Sequence, residues 1–326
     1  MVIDTHAHII VPEVTRPSRD AGGWQPYVHW ENGQQVIEFA GKVIKSAIFE
    51  FIHIEKILEA QANAGVDRFA LCPWVNLLRY QTPPQEGLDI SRVQNESLSR
   101  LAQQYTQISA LGTVPLQDPE LAARELEQVM QTPGLQGVEI AASVNNVYLG
   151  DDRFRPFWDA AEATGALVFI HPTTRGFDAP VFNDYYLWNA VGNPLETTIT
   201  AAHMILSGVM ETHPRLKVLL AHGGGAILSL RGRLQHAHSF QPQAKSRLHE
   251  TPIESLKRFY LDTLVHDPDV LRELIQFAGP DHVVVGSDYP FDMGDAHPAA
   301  IVRSLNLSSD DEEKILSGNV TRLLYK

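Results

Sequence analysis

Cysteine is almost absent: Cys72 is the single one in 326 residues. That excludes an intramolecular disulfide framework and any cysteine-rich metal site. Cys72 lies in the apolar run Arg68-Phe69-Ala70-Leu71-Cys72, where a thiol behaves as a small, inert, buried hydrophobe. Positive charge is scarce too. Lys and Arg number 26 against 39 Asp and Glu, a formal net charge of −13, which argues against nucleic acid or an anionic membrane as partner. A small anionic substrate stays open, because a few local cations can oppose the overall field. No apolar run approaches the ~20 residues that span a bilayer, and the first residues lack the charged and apolar regions of a signal peptide. The expectation is a cytoplasmic protein. No low-complexity segment or linker divides the chain, so residues 1–326 are expected to form a single domain.

What the chain does have is a recurring cycle. Short apolar runs alternate with amphipathic helical patterns: Val2–His6, Arg68–Pro73, Ile108–Val114, Gly137–Ala141, Ala166–His171, Lys217–His222, Phe259–Thr263 and Val283–Asp288. Near-continuous apolar runs are the mark of strands buried on both faces, and parallel strands need helical crossovers. The helices have readable limits. Ile54, Ile57, Leu58 and Ala62 repeat at helical spacing and stop at Gly65. Asp118-Pro119 and Asp267-Pro268 each read as an N-cap followed by Pro at the first helical position. Ser309-Asp310-Asp311-Glu312 reads as a capping box for a last helix closed by Gly318. Eight such units predict an α/β protein, a (β/α)8 TIM barrel. Residues 9–50 break the cycle: rich in Pro, Gly and polar residues, they predict an irregular insertion with a small β segment after the first strand, folding over the active-site end.

The residues that carry chemistry recur at strand ends. In an extended strand, positions i and i+2 share a face, so His6 and His8 aim both imidazoles at one point. Leu167–Ile170 ends in His171, Lys217–Ala221 ends in His222, and Val283–Ser287 ends in Asp288. Four histidines and one aspartate thus gather at the C-terminal ends of four strands, where a barrel builds its active site. Imidazole and carboxylate suit Zn²⁺ and other first-row ions. A metal makes bound water acidic near neutral pH, and histidine is the side chain best placed to carry a proton. One of the five residues is therefore open to a general acid/base role.

These motifs resemble the amidohydrolase superfamily, in the branch of α-amino-β-carboxymuconate-ε-semialdehyde decarboxylase and related aromatic-acid decarboxylases. The residues carrying the resemblance are Ile3–His8, Val114–Asp118, His171-Pro172, Leu206–Gly208, Ala221–Gly225, Gly286–Phe291 and Gly318-Asn319. The resemblance implies that His6, His8, His171 and Asp288 hold one Zn²⁺ (Mn²⁺ or another divalent ion being alternatives). It implies that His222 is the acid/base, with Asp288 also catalytic. Arg233 matches an arginine that reaches a substrate carboxylate from a neighbouring subunit, which implies a homodimer. Lys45 stands where the family has a second carboxylate-binding arginine; it keeps the charge and loses the bidentate fork. Arg175 is a further cation open to that role, and Trp188 resembles a pocket-lining aromatic. Glu139 is the one residue near the end of the fourth strand that could bridge a second metal, and a single metal is favoured. The function expected is a metal-dependent decarboxylase of an unsaturated or aromatic carboxylic acid, muconate-semialdehyde-like or hydroxybenzoate-like. The alternative is a hydrolase or hydratase built from the same parts and acting on a carbonyl, lactone or activated alkene.

Overall fold

The strands form where the apolar runs place them. In the computed structural model, which describes residues 1–21, 23–39, 41–46, 51–173 and 179–325, eight strands pair in chain order into one sheet. They are β1 (Ile3–Ile9), β2 (Arg68–Pro73), β3 (Ile108–Gly112), β4 (Leu135–Ala141), β5 (Leu167–His171), β6 (Lys217–Leu220), β7 (Tyr260–Asp262) and β8 (Val283–Val284). All seven neighbouring pairs are parallel, and the segments between them carry helices on the outside, as parallel connection requires.

The first and last strands close the sheet into a barrel. The Thr5 N–H donates to the Val285 carbonyl at 2.9 Å and the His8 N–H to the Tyr289 carbonyl at 2.7 Å. Asp4, fully buried, ties the same seam. Its carboxylate accepts the backbone N–H of His6 at 2.9 Å and of Ser287 at 3.0 Å, the Ser287 hydroxyl, and the Gln61 amide at 3.1 Å. Burying an ionisable group is tolerated only with such partners.

Two apolar layers fill the molecule. Ile3, Ala70, Cys72, Leu111, Leu167, Phe169, Leu219 and Val284 pack together inside the barrel. The opposite strand faces (Val138, Ile140, Val168, Ile170, Val218, Leu220) pack with helix residues such as Leu98, Leu126, Phe157 and Met204. Cys72 is fully buried and burial raises its thiol pKa well above the usual range, so it is the inert thiol its surroundings suggested. Among the described residues no helix is long and apolar enough to cross a membrane.

The insertion is more ordered than its composition suggested. Tyr27–Glu31, Gln34–Phe39 and Lys42–Ser46 form a three-stranded antiparallel sheet. Its first turn is the two-residue loop Asn32-Gly33, both with positive φ (52° and 79°), the backbone that the right-handed twist of a hairpin favours. The sheet is tied to the barrel through Phe51, whose N–H donates to the Gln35 side chain at 3.0 Å and whose carbonyl accepts from Ile10 at 2.8 Å.

The helix signals hold with two shifts. Asp118 accepts from the Leu121 N–H at 3.0 Å, and Asp267 accepts from Asp269 at 2.8 Å and Val270 at 3.2 Å, as N-caps do. The last helix is capped one residue earlier than expected: the Ser308 hydroxyl accepts from Asp311 at 3.1 Å. Gly318 does not close it. Glycine ends a helix by adopting positive φ, whereas Gly318 keeps helical angles (φ −61°, ψ −44°) and the helix continues through Asn319–Leu324. The Asn319 amide donates to the carbonyls of Pro280 and Val283, both at 2.7 Å, and this pins the extra turn against the start of β8. Asn319→Ala is expected to leave both carbonyls short of a donor and to cost about 2 kcal/mol. The check is an earlier urea midpoint with metal content unchanged.

Candidate metal centre

His6, His8, His171 and Asp288 meet at the C-terminal mouth of the barrel. Their ligand-type atoms all lie within 4.8 Å of one another and all four residues are buried. Each imidazole has its far nitrogen committed. His6 Nδ1 lies 2.8 Å from Asp262 Oδ2, His8 Nδ1 3.0 Å from the Pro73 carbonyl, and His171 Nδ1 2.9 Å from the Pro172 carbonyl. A carbonyl only accepts, so the ring protons of His8 and His171 sit on Nδ1 and their Nε2 lone pairs point inward. The carboxylate acceptor places the His6 proton likewise.

The inward atoms converge on acceptors. Asp288 Oδ1 lies 3.1 Å from His6 Nε2, 3.3 Å from His8 Nε2 and 3.6 Å from His171 Nε2. These four atoms are buried and have no hydrogen-bond partner. Three lone pairs facing a carboxylate oxygen repel unless a cation sits among them, so the donor set fits a divalent ion. Ligating histidines ordinarily hand their other N–H to a carboxylate or carbonyl, as these three do. The electrostatics agree. Burial opposes charge on His6 and His8, yet the carboxylates of Asp288 and Asp262 raise His6 to about 10, and those of Glu139 and Asp288 raise His8 to about 9. For His171 burial prevails and lowers it to about 3. Protons therefore cannot serve all three rings, whereas one shared dication can.

His222 stands beside the four. Its Nε2 is 3.4 Å from Asp288 Oδ2, the carboxylate oxygen not facing the other rings, and its ring lies 5.3 Å from that of His171. His222 and Asp288 both adopt left-handed backbone (φ 56° and 55°), which L-residues other than glycine rarely take. Asp262 explains the first. Besides His6, it accepts the N–H of His222 at 3.1 Å, of Gly223 at 2.8 Å and of Leu264 at 3.2 Å. Asp262 was missed in the sequence, although an aspartate inside the apolar run Phe259–Thr263 was the available signal. Glu139 is not one of the clustered four. It is fully buried on the far side of the His8 ring, 3.6 Å from Nδ1.

A family model described as "Amidohydrolase" matches residues 88–325. The chain belongs to the amidohydrolase family. Within it, the chain falls in the carboxy-lyase branch. It is 30% identical to 2-amino-3-carboxymuconate-6-semialdehyde decarboxylase of Dictyostelium discoideum, over 99% of this chain and 91% of that protein. The crystal structure of 5-carboxyvanillate decarboxylase from Sphingomonas paucimobilis superposes with a TM-score of 0.76 at 30% identity, covering 82% of this chain and 81% of that one. A dihydroxybenzoic acid decarboxylase from a Polaromonas species, solved with manganese and 2-nitroresorcinol, shares the fold with a TM-score of 0.80 at 19% identity, over 99% of this chain and 96% of that one.

The remaining candidate residues of this amidohydrolase are placed less uniformly. Trp188 opens a single π-helical turn, Trp188–Gly192, with its ring 4.9 Å from that of Tyr186. Tyr186 in turn donates to Asp292 at 2.9 Å, joining this loop to the turn that carries Asp288. Arg233 is exposed on the helix Ile227–Phe240, beside a surface cleft of about 410 Å³ shared with His236 and Phe240, and it does not contact the four ligands of its own chain. Lys45 pairs with Val36 on the small sheet, and its side chain lies outside the described residues, as does Arg175.

The sequence also gave no hint of Glu196. Fully buried on the helix Asn193–Leu206, it accepts from the Ser143 hydroxyl at 2.8 Å, the Thr173 N–H at 2.7 Å and the Thr173 hydroxyl at 2.9 Å. It thereby fastens the chain two residues beyond His171. Burial raises its pKa to about 7, against the lowering effect of those donors. A carboxyl whose folded pKa is raised stabilises most below its ordinary range near 4.5, and that contribution is lost as pH rises through about 7. Glu196→Gln removes the titration. From pH 5 to pH 8 the thermal midpoint of the parent protein is expected to fall relative to that of the variant; parallel curves would refute the assignment.

Proposed function

We propose that this chain is a mononuclear metal-dependent decarboxylase of an unsaturated or aromatic carboxylic acid, of the muconate-semialdehyde or hydroxybenzoate type. The observation that carries the reading is the convergence of three buried imidazole Nε2 atoms and Asp288 Oδ1, with His222 against the other oxygen of the same aspartate. His6, His8, His171 and Asp288 hold the metal, Zn²⁺ or Mn²⁺. When bound, such an ion supplies Lewis-acid polarisation of a substrate oxygen.

The protein's own groups do the rest. In decarboxylation the carbon–carbon bond breaks, CO₂ leaves, and the electron pair stays on the ring or chain carbon, which must take up a proton. His222 is the donor of that proton. Asp288, through its second oxygen, orients the imidazole. The αL turn held by Asp262 aims His222 into the mouth of the barrel. Trp188 lines the substrate pocket, and the cations Lys45 and Arg233 bind carboxylate, Arg233 from the second subunit of a homodimer. The whole chain acts as one unit in the cytoplasm, with a small carboxylic acid as its partner.

The branch assignment favours this chemistry over ester, lactone or amide hydrolysis, and no observation specifically favours the latter. The test is a panel of ortho-hydroxybenzoic and muconate-type acids offered to the zinc- or manganese-loaded protein. CO₂ release from at least one acid is expected; cleavage of esters or lactones without CO₂ would overturn the reading. His222→Gln is expected to keep its metal and to lose at least ~100-fold in turnover, the range of a general acid/base. Metal analysis alongside the CO₂ assay separates that outcome from loss of the ion. His171→Ala is expected to reduce bound metal itself, from about one ion per chain toward none.

A further inference from the structure

We propose that a cleft between the small sheet and the loop after β2 binds a carboxylate carried on a planar ring, collecting the acid at the mouth of the metal centre. The cleft, about 470 Å³, is lined by Arg16, Trp24, Gln25, Glu38, Phe39 and Arg79 together with small residues of the insertion. It belongs to the active-site end. Arg79 lies in the loop leaving the C-terminal end of β2, and Phe39 packs 5.6 Å from Trp74, the residue directly after that strand. From Trp74 ring contacts continue through Phe51 (6.1 Å) and Phe291 (5.3 Å) to His8 (5.2 Å).

Two cations face this cleft without a counter-charge. Among the described residues neither Arg16 nor Arg79 forms an ion pair, in a chain whose net charge is −13. The Nε of each is buried and has no acceptor, a costly state for a charged donor. Glu38, the acidic residue on the cleft wall, is already occupied: it accepts from the Arg19 guanidinium and lies 3.2 Å from His29 Nε2. The charge of the two arginines is therefore left for a ligand.

Their surroundings say what kind. The Arg79 guanidinium carbon sits 5.6 Å from the Trp24 ring centre and 5.7 Å from that of Phe39, and Arg16 lies 5.8 Å from the Tyr27 ring. Aromatic faces hold a guanidinium by its plane and leave its edge for bidentate contact with a carboxylate; on Arg16 one edge nitrogen, Nη1, already donates to the Arg19 carbonyl at 3.0 Å. They also offer stacking area to a ring. Arg79 has φ +54°, and its turn is fixed by Thr82, whose N–H and hydroxyl both donate to the Arg79 carbonyl at 3.0 and 2.8 Å. A long side chain held in left-handed backbone is the kind of local strain that binding sites retain.

The choice of a carboxylate over other anions rests on the carboxy-lyase reading; the presence of an anion site does not. The probe is isophthalate, titrated into the manganese-loaded full chain and followed by tryptophan fluorescence, with calorimetry in parallel. The part of the quenching that Trp24→Phe removes reports the cleft alone. Arg79→Gln and Arg16→Gln are each expected to weaken that signal's titration by about ten-fold, with thermal midpoint and metal content unchanged. Neutral isophthalamide is expected to give no such signal. Wild-type titration by both variants, or competition by inorganic phosphate equal to that of isophthalate, would overturn the proposal. Because the readout is binding at Trp24, failure of the carboxy-lyase reading would appear in the CO₂ assay and not here.

Discussion

The active-site end depends on where three imidazole protons go. The acceptors that take them are Asp262, the Pro73 carbonyl and the Pro172 carbonyl, and all three are fixed by strand ends. Once those Nδ1 atoms are committed, the opposite nitrogens are the ones left to face a cation: they are buried, without a hydrogen-bond partner and aimed at Asp288. In a low-dielectric interior such an arrangement is tolerable only with a cation at its centre. Metal affinity here is thus a property of the second set of contacts as much as of the four ligands.

That constraint in turn depends on the barrel being closed between β1 and β8. The ligands His6 and His8 come from the first strand and Asp288 from the segment after the last, so nothing in local sequence brings them together. The seam does, through Thr5 with Val285, His8 with Tyr289, and Asp4 with Ser287. Beyond the seam the backbone turns sharply. Asp288 sits in left-handed conformation, a cost of about 1–3 kcal/mol, and the turn is held by the Phe291 N–H donating to the Asp288 carbonyl at 2.9 Å and Asp295 to that of Ser287 at 2.8 Å. His222, in the same strained conformation, is held by Asp262. One buried aspartate, Asp262, therefore orients both His6 and His222.

Periodicity was enough to read the barrel, because strands buried on both faces leave continuous apolar runs, and all eight appear within a few residues of their expected places. The site residues were legible for a related reason: His6, His171, His222 and Asp288 each end such a run, and His8 lies two residues beyond His6 on the same face. Asp262 was not, since it lies inside a run in which one acidic residue looks like a flaw until its four partners are seen. Glu196 was hidden more deeply. Its partners Ser143 and Thr173 come from the ends of other strands, and on a helix it looks like any solvated glutamate. Gly318 misled because a glycine in a helix carries no mark of its own φ; the anchor that keeps the chain helical is Asn319, whose partners are more than 30 residues away. The small sheet was legible as β segment but not in strand number, which depends on pairings outside any single strand's pattern.

A lyase and a hydrolase of this family need the same few parts at the metal, so what separates one substrate from another must lie outside the four ligands. In this chain two of those outer pieces meet at the turn that carries Asp288. The insertion reaches Trp74 through Phe39, Phe51 just after it reaches Trp74 and Phe291, and the loop bearing Trp188 reaches Asp292 through Tyr186. Phe291 and Asp292 follow directly after the turn of Asp288, so both outer pieces converge on one short segment that also carries a metal ligand. A change in either loop can then reshape the pocket wall without disturbing the imidazole protons that define the centre. The arginines of the cleft, Arg16 and Arg79, belong to these outer pieces, with no acidic partner among the described residues.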